Sequence, residues 1–321
     1  MTRPGAEPVA TVLDTDGGID DCMALWWGLE ARSIDVVTVT TVFGNVSLDQ
    51  ATRNVAKVLH HADRLDIPVA CGAAHGLGPA PIEAPAHHIH GEDGLGRAGP
   101  ADVDHTPLDI TAAAEIARLV ASRPGELTLV AVGPLTNIAL VLRAHPEIAQ
   151  DVRALTVMGG VARPPGNVTP IAEFNVACDP TAAAEVVAAP WREPPLLVPL
   201  DVTYVATLGA TELALLEERR TPAAAFLAAP IAHYRARASR QSRDGGCPAH
   251  DLLALMTVAH PELVTASLLP LTVDTGASSA WGATVVDLRT AIPDAGTPRW
   301  RVALDVDVDA FRARARALFG A

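Results

Sequence analysis

The chain has 321 residues, 49% of them hydrophobic and 19% charged, the composition of a packed globular protein with a sizeable core. A formal net charge of -13 excludes a nucleic-acid scaffold, which needs a basic stripe to displace counterions from phosphates. The four cysteines, Cys22, Cys71, Cys178 and Cys247, show neither zinc-site pairing nor the density of a secreted disulfide scaffold, so buried free thiols are expected.

Short β-branched runs alternate with alanine-rich helical patterns, as in βαβ units on a parallel sheet. The first strand is predicted over 9–13, followed by a helix over 20–32, an apolar strand over 34–42 and a helix over 48–62. Residues 71–107, rich in Gly, Pro and His, form a long surface excursion and a candidate for substrate contact. Alternation resumes with a helix at 110–122, a strand at 127–132, a helix at 135–144 and a strand at 154–158. A helix at 181–188 follows Asp179-Pro180, which supplies its start, and a strand at 196–199 leads into Asp201. Helices over 212–220 and 223–239 precede a polar, mobile run at 240–248, and a helix at 252–259 follows. Strand-like runs around 271 and over 301–308 and a terminal helix from Ala310 complete the chain. No repeat or linker interrupts it, so residues 1–321 are expected as a single α/β domain with a Rossmann-like, open and mostly parallel sheet flanked by helices. The N-terminus runs into a strand without a signal-like segment, and no apolar stretch of ~20 residues follows, so the expected setting is cytoplasmic with no membrane partner.

Four acids, Asp14, Asp16, Asp20 and Asp21, fall within eight positions where the first strand gives way to the first helix. In open α/β sheets the carboxyl ends of strands form the ligand crevice, and Gly17 and Gly18 allow a tight turn there. Carboxylates this close raise one another's pKa unless a cation or shared protons compensate. An oxygen-only set favours a hard cation, calcium or magnesium, over zinc or copper. The competing reading, that Asp20 and Asp21 merely complement a helix N-terminus, accounts for an isolated pair but not for the whole string.

The string Asp14-Thr15-Asp16-Gly17-Gly18-Ile19-Asp20-Asp21 resembles DTDPGIDD, the signature of the inosine-uridine-preferring nucleoside hydrolase family. Further matches follow in order: Gly44-Asn45, the run from Val132 to Ala139, Met158-Gly159-Gly160, Glu173-Phe174-Asn175 with Asp179-Pro180, and Cys247-Pro248-Ala249-His250-Asp251. The resemblance implies the nucleoside hydrolase architecture and calcium-dependent release of free base from ribonucleosides, within purine and pyrimidine salvage. It assigns Asp16, Asp21, Asp251 and the carbonyl of Val132 to Ca2+, within a shell of about 8 oxygens completed by water and the ribose diol. Asp16 would be the general base and His250 would assist departure of the base. Asp20, Asn45, Glu173 and Asn175 would bind ribose hydroxyls, and Met158 and Asn167 would line the 5′ side. His90 is the best match among His87, His88 and His90 for a residue near the base, with Phe174 and Tyr234 as aromatic neighbours. Asp14 would support the cluster from behind. By the same analogy the protein assembles as a homodimer or homotetramer.

One departure is Gly17 in place of the proline, expected to preserve the turn at an entropic cost. Two alternatives compete. The segment Asp14-Thr15-Asp16-Gly17 also resembles the start of haloacid-dehalogenase-type phosphatases, which want a downstream phosphate-contacting lysine, whereas Lys57 is the only lysine and lies early, in a predicted helix. The other alternative is a non-catalytic nucleoside- or ribose-binding protein. No phosphate loop or strand-linked G-x-G-x-x-G occurs.

Overall fold

Side chains of a strand alternate between faces, and the central strands use both. Val12, Leu129, Ala131 and Leu197 enter one buried apolar cluster, while Leu13, Val130 and Val198 enter another on the opposite side. The computed structural model describes residues 7–82, 85–238, 245–289 and 296–320. Its strands are β1 (Val9–Thr15), β2 (Ile34–Thr41), β3 (Val69–Cys71), β4 (Thr128–Ala131), β5 (Ala154–Met158), β6 (Leu196–Val198), β7 (Thr207–Leu208), β8 (Cys247–Pro248), β9 (Val264–Val273), β10 (Thr284–Val286) and β11 (Arg299–Val306). Nine of them form one sheet in the order β10-β9-β11-β6-β5-β4-β1-β2-β3. Pairing is parallel from β3 through β11 and antiparallel at β9 and β10, so the sheet is mostly parallel, as expected.

The chain builds outward from β1 through β2 to β3, then returns to place β4 on the other side of β1. That reversal is a topological switch point, where connections leave a crevice open at the carboxyl ends of the strands. Thr15, Ala131 and Met158 end their strands at this edge. The helix that leaves β1, Ile19–Glu30, is buried without interruption from Ile19 to Gly28, because it is covered by the sheet and by the helices Pro222–Ala238 and His250–Ala259. Trp26 is its anchor: fully buried, with its ring 5.2 Å from that of Phe226 and its Nε1 donating to Glu30 at 2.8 Å.

Several elements differ from their sequence patterns. The excursion contains a helical turn, His87–His90, and begins after β3, which is too short to leave a periodic signal. The run around 271 belongs to the ten-residue β9, whose pattern Pro270 interrupts. The terminal helix starts at Val308, two residues early, because Asp307 caps it by accepting from the Ala310 N–H at 2.9 Å. The mobility expected of 240–248 falls, for 240–244, outside the described residues, whereas Cys247–Pro248 pairs with Thr207–Leu208 as a small ribbon.

The turn after β1 is not one that proline could make. Gly17 has φ +70, whereas proline is fixed near about -65°. The Gly17 N–H donates to Thr15 Oγ1 at 3.2 Å, and a Cβ on Gly17 would lie 2.5 Å from Ala51 Cα. The glycine therefore substitutes a different backbone path for the proline turn rather than reproducing it.

Two outcomes follow for stability. Gly17→Pro should lower the unfolding free energy by more than about 1 kcal/mol, and an unchanged denaturant midpoint would contradict the turn described. Trp26→Ala should cost about 3–5 kcal/mol by the same measurement, as expected of a truncated buried aromatic; a loss near zero would mean that the first helix is not anchored there.

Candidate functional site at the switch point

At the carboxyl edge of β1 and β4 the acids become a buried cluster. Asp16, Asp20, Asp21 and Asp251 are 0%, 4%, 1% and 3% exposed. Asp21 accepts four hydrogen bonds, from Thr15 Oγ1, the Asp16 and Gly18 N–H groups and Asn45 Nδ2. Asp16 is held by Asn45, whose N–H donates to Oδ2 at 2.7 Å and whose Nδ2 donates to Oδ1 at 2.9 Å. Gly44 must be small for this: a Cβ there would stand 2.1 Å from Asp16 Oδ2. Asp14 lies behind, accepting from Thr40 Oγ1 and from Asn137 Nδ2 at 2.7 Å. Thr40 faces it because the two residues are register partners on β2 and β1.

Burial raises the pKa of the Asp14 carboxyl to about 7 and, with the charge of Asp21, that of Asp20 to about 8. The Asp16 and Asp251 carboxyls are also pushed well up, first by burial and then by neighbouring carboxylates. Two oxygens, Asp14 Oδ2 and Asp20 Oδ1, are sealed from solvent without a hydrogen-bond partner. Asp20, Asp21 and Asp251 bring ligand oxygens within 4.8 Å of one another. An all-oxygen set with an orphaned buried lone pair fits a hard divalent cation.

Over this cluster opens a concave cavity with a small free volume, about 80 Å³. Asp20, Asn45, Val132, Met158, Asn167, Glu173, Phe174, Asn175, His90, Tyr234, His250 and Asp251 are among its lining residues. Glu173 caps the helix Phe174–Cys178, accepting from the N–H groups of Asn175, Val176 and Gly160, while burial lifts its pKa to about 7. Asn175 Nδ2 donates to the Val132 carbonyl at 2.9 Å, and Asn167 Oδ1 accepts from the Phe174 N–H at 2.9 Å. Phe174 packs against Ala86 and Cys178 as well as lining the cavity.

Two buried histidines face the cavity. His90 Nδ1 accepts from the Ile19 N–H at 3.1 Å, which places the ring proton on Nε2. Its ring stacks on Tyr234 at 5.2 Å, and Tyr234 Oη donates to Asp20 at 3.4 Å. His250 Nδ1 meets Thr203 Oγ1 at 2.6 Å, and its ring has Tyr204 edge-on at 5.3 Å. Burial lowers the pKa of His90 to about 3 and that of His250 to about 4.

The fold thus gathers every residue named from the sequence into one region, with two distinctions. Asp16 and Asp21 are buried behind the lining, while Asp20 and Asp251 reach it. Of the three neighbouring histidines, His90 and His88 line this cavity, and His87 faces a separate surface hollow. Sequence reasoning missed the supports Thr40, Asn137 and Thr203, and also Asn54, which joins the turn to the excursion by donating to the carbonyls of Gly17 and Asp93, both at 2.8 Å. Asn137 lay inside the matched run from Val132 to Ala139; no signal marked the others.

Comparison with known proteins finds similarity along nearly the whole chain. The family model described as inosine-uridine preferring nucleoside hydrolase matches residues 11–313. A non-specific ribonucleoside hydrolase of Escherichia coli O1:K1 is 42% identical over 304 residues, covering 94% of each chain. A counterpart of Salmonella agona is 40% identical over 306 residues with the same coverage. Among solved structures, a plant nucleoside hydrolase superposes with a TM-score of 0.90 at 31% identity, covering 98% of this chain and 99% of that one. A purine-preferring ribonucleoside hydrolase from Gardnerella vaginalis gives 0.88 at 29%, covering 97% and 98%. A mostly parallel sheet, an acidic cluster at its switch point and similarity along nearly the whole length lead to one conclusion: the chain belongs to the inosine-uridine preferring nucleoside hydrolase family.

Proposed function

We propose that the protein hydrolyses the N-glycosidic bond of ribonucleosides in a calcium-dependent reaction, releasing free base and ribose. The observation that carries this reading is the group Asp20, Asp21 and Asp251 beside a cavity that also presents His90 and His250. Acceptance of purine and pyrimidine nucleosides alike is proposed from the relative named non-specific at 42% identity.

Asp16, Asp21, Asp251 and the Val132 carbonyl would hold the ion, with Asp20 within reach of the same position. When bound, the cation supplies charge compensation for the carboxylates, acidifies water and fixes the ribose diol. The chain's own groups do the rest. Breaking the C1′–N bond develops positive charge on the sugar, which the surrounding carboxylates stabilise. Asp16 takes the proton of the water that attacks C1′, and its own two oxygens are oriented by Asn45. Asp20, Asn45, Glu173 and Asn175 bind ribose hydroxyls, Met158 and Asn167 border the 5′ side, and Phe174 and His90 border the base. This fixes the sugar in reactive geometry. His250 assists the departing base.

The phosphatase alternative lacks its lysine. Lys57, in the helix Leu48–His61, pairs with Asp102 at 2.8 Å and is not among the cavity's lining residues.

A panel of nucleosides assayed for free ribose tests the proposal and separates an enzyme from a silent binder. Chelation should abolish turnover and lower the melting temperature, since an ion bound to the folded state stabilises it, and calcium should restore both. An undiminished rate in chelator would remove the metal from the mechanism. Asp16→Asn should slow hydrolysis by about 10² to 10⁴-fold while circular dichroism shows the fold intact; near-normal turnover would eliminate Asp16 as the base.

A further inference from the structure

Asn54 sits in the helix Leu48–His61 and is fully buried. Its amide nitrogen carries two protons, and both are placed: Nδ2 donates to the Gly17 carbonyl and to the Asp93 carbonyl, each at 2.8 Å. Oδ1 accepts from Gln50 Nε2 at 3.0 Å. The amide therefore has one orientation, since a flip would set its oxygen against two carbonyl oxygens. Those carbonyls belong to two sides of the cavity. Gly17 lies in the turn between Asp16 and Asp20, whereas Asp93 lies in the excursion, just after His90.

The segment that Asn54 grips is closed onto His90. The Gly96 N–H donates to the His90 carbonyl at 2.7 Å, and Asp93 Oδ1 accepts from the N–H groups of Leu95 and Arg97 at 3.1 and 2.8 Å. A shift of Asp93 is thereby passed to His90. Leu95 is buried in the main apolar cluster, so packing keeps the segment on the protein, while the Asn54 amide sets its place against the turn at Gly17. The groups on the carboxylate side are held by other bonds: Asn45 orients Asp16, and Thr15 Oγ1 and the Gly18 N–H reach Asp21. None of these bonds passes through Asn54.

We infer that Asn54 is a positioning residue: by bridging Gly17 and Asp93 it sets the place of His90 relative to the carboxylates, and so governs affinity for the base half of a nucleoside but not for the sugar half. This rests on the hydrolase reading above, which puts ribose on the carboxylates and the base beside His90. Asn54 touches neither half, since it is not among the cavity's lining residues. Its effect must pass through His90, and a residue that acts through another loses its effect when that other is removed.

A double-mutant cycle between Asn54→Ala and His90→Ala tests this, with steady-state kinetics on inosine and uridine and with free ribose as a competitive inhibitor. Asn54→Ala should raise KM about tenfold with kcat little changed, the mark of lost ground-state binding, and should leave the inhibition constant of ribose as in the parent. In the His90→Ala background the same substitution should raise KM no further. Should circular dichroism show Asn54→Ala unfolded, Asn54→Ser, which keeps one donor, goes through the same cycle with a smaller rise expected. An unchanged KM, an equal weakening of ribose and nucleoside, or a full additional rise in the His90→Ala background would overturn the inference while leaving the hydrolase reading intact. A parent protein that cleaves neither nucleoside in the presence of calcium would overturn that reading, and the inference with it.

Discussion

The constraint on which the structure turns is the burial of like charges. Asp14, Asp16, Asp20, Asp21 and Asp251 lie together in the interior, and among the described residues none of them pairs with a lysine or arginine. Moving one unpaired carboxylate into such surroundings costs several kcal/mol even after relaxation. Backbone and side-chain donors relieve part of this: Asn45 holds Asp16, four donors converge on Asp21, and Thr40 with Asn137 holds Asp14. The remainder, including the orphaned Asp20 Oδ1, calls for a cation. The fold therefore carries a local instability at its own switch point, and it is the electrostatic source of the proposed chemistry.

The rest of the architecture keeps that cluster in register. Parallel pairing of β1 with both β2 and β4 puts Thr40 beside Asp14 and brings the Val132 N–H to the Asp14 carbonyl at 2.8 Å. The uninterrupted burial of the helix Ile19–Glu30 fixes Asp20 and Asp21 at its start. Asp251 arrives from the helix His250–Ala259, which packs against that first helix. Charge, register and packing thus specify the same site, an agreement across levels expected where a sequence encodes one structure.

Much of this was legible in the sequence, and the reason lies in contiguity. The acids from Asp14 to Asp21 sit on consecutive positions of one strand-to-helix switch, so their crowding is visible before any folding. The parallel sheet was legible because short β-branched runs alternate with helical patterns along the chain, the mark of βαβ units. The supports were not. Thr40, Asn54 and Thr203 are single polar residues whose partners lie 26, 37 and 47 positions away, and nothing local marks a polar residue that matters only after distant strands pair. His87, His88 and His90 share one helical turn, so only the direction of each side chain separates them. The turn at Gly17 was misjudged for a related reason: a glycine reveals that freedom is needed, but not the sign of φ.

Because the account depends on a cation compensating the buried carboxylates, the most direct measurement is calorimetric titration of calcium into metal-stripped protein. A single ion per chain should bind, with binding lost in Asp251→Asn. Absence of calcium binding by folded protein, or undiminished binding by Asp251→Asn, would contradict it.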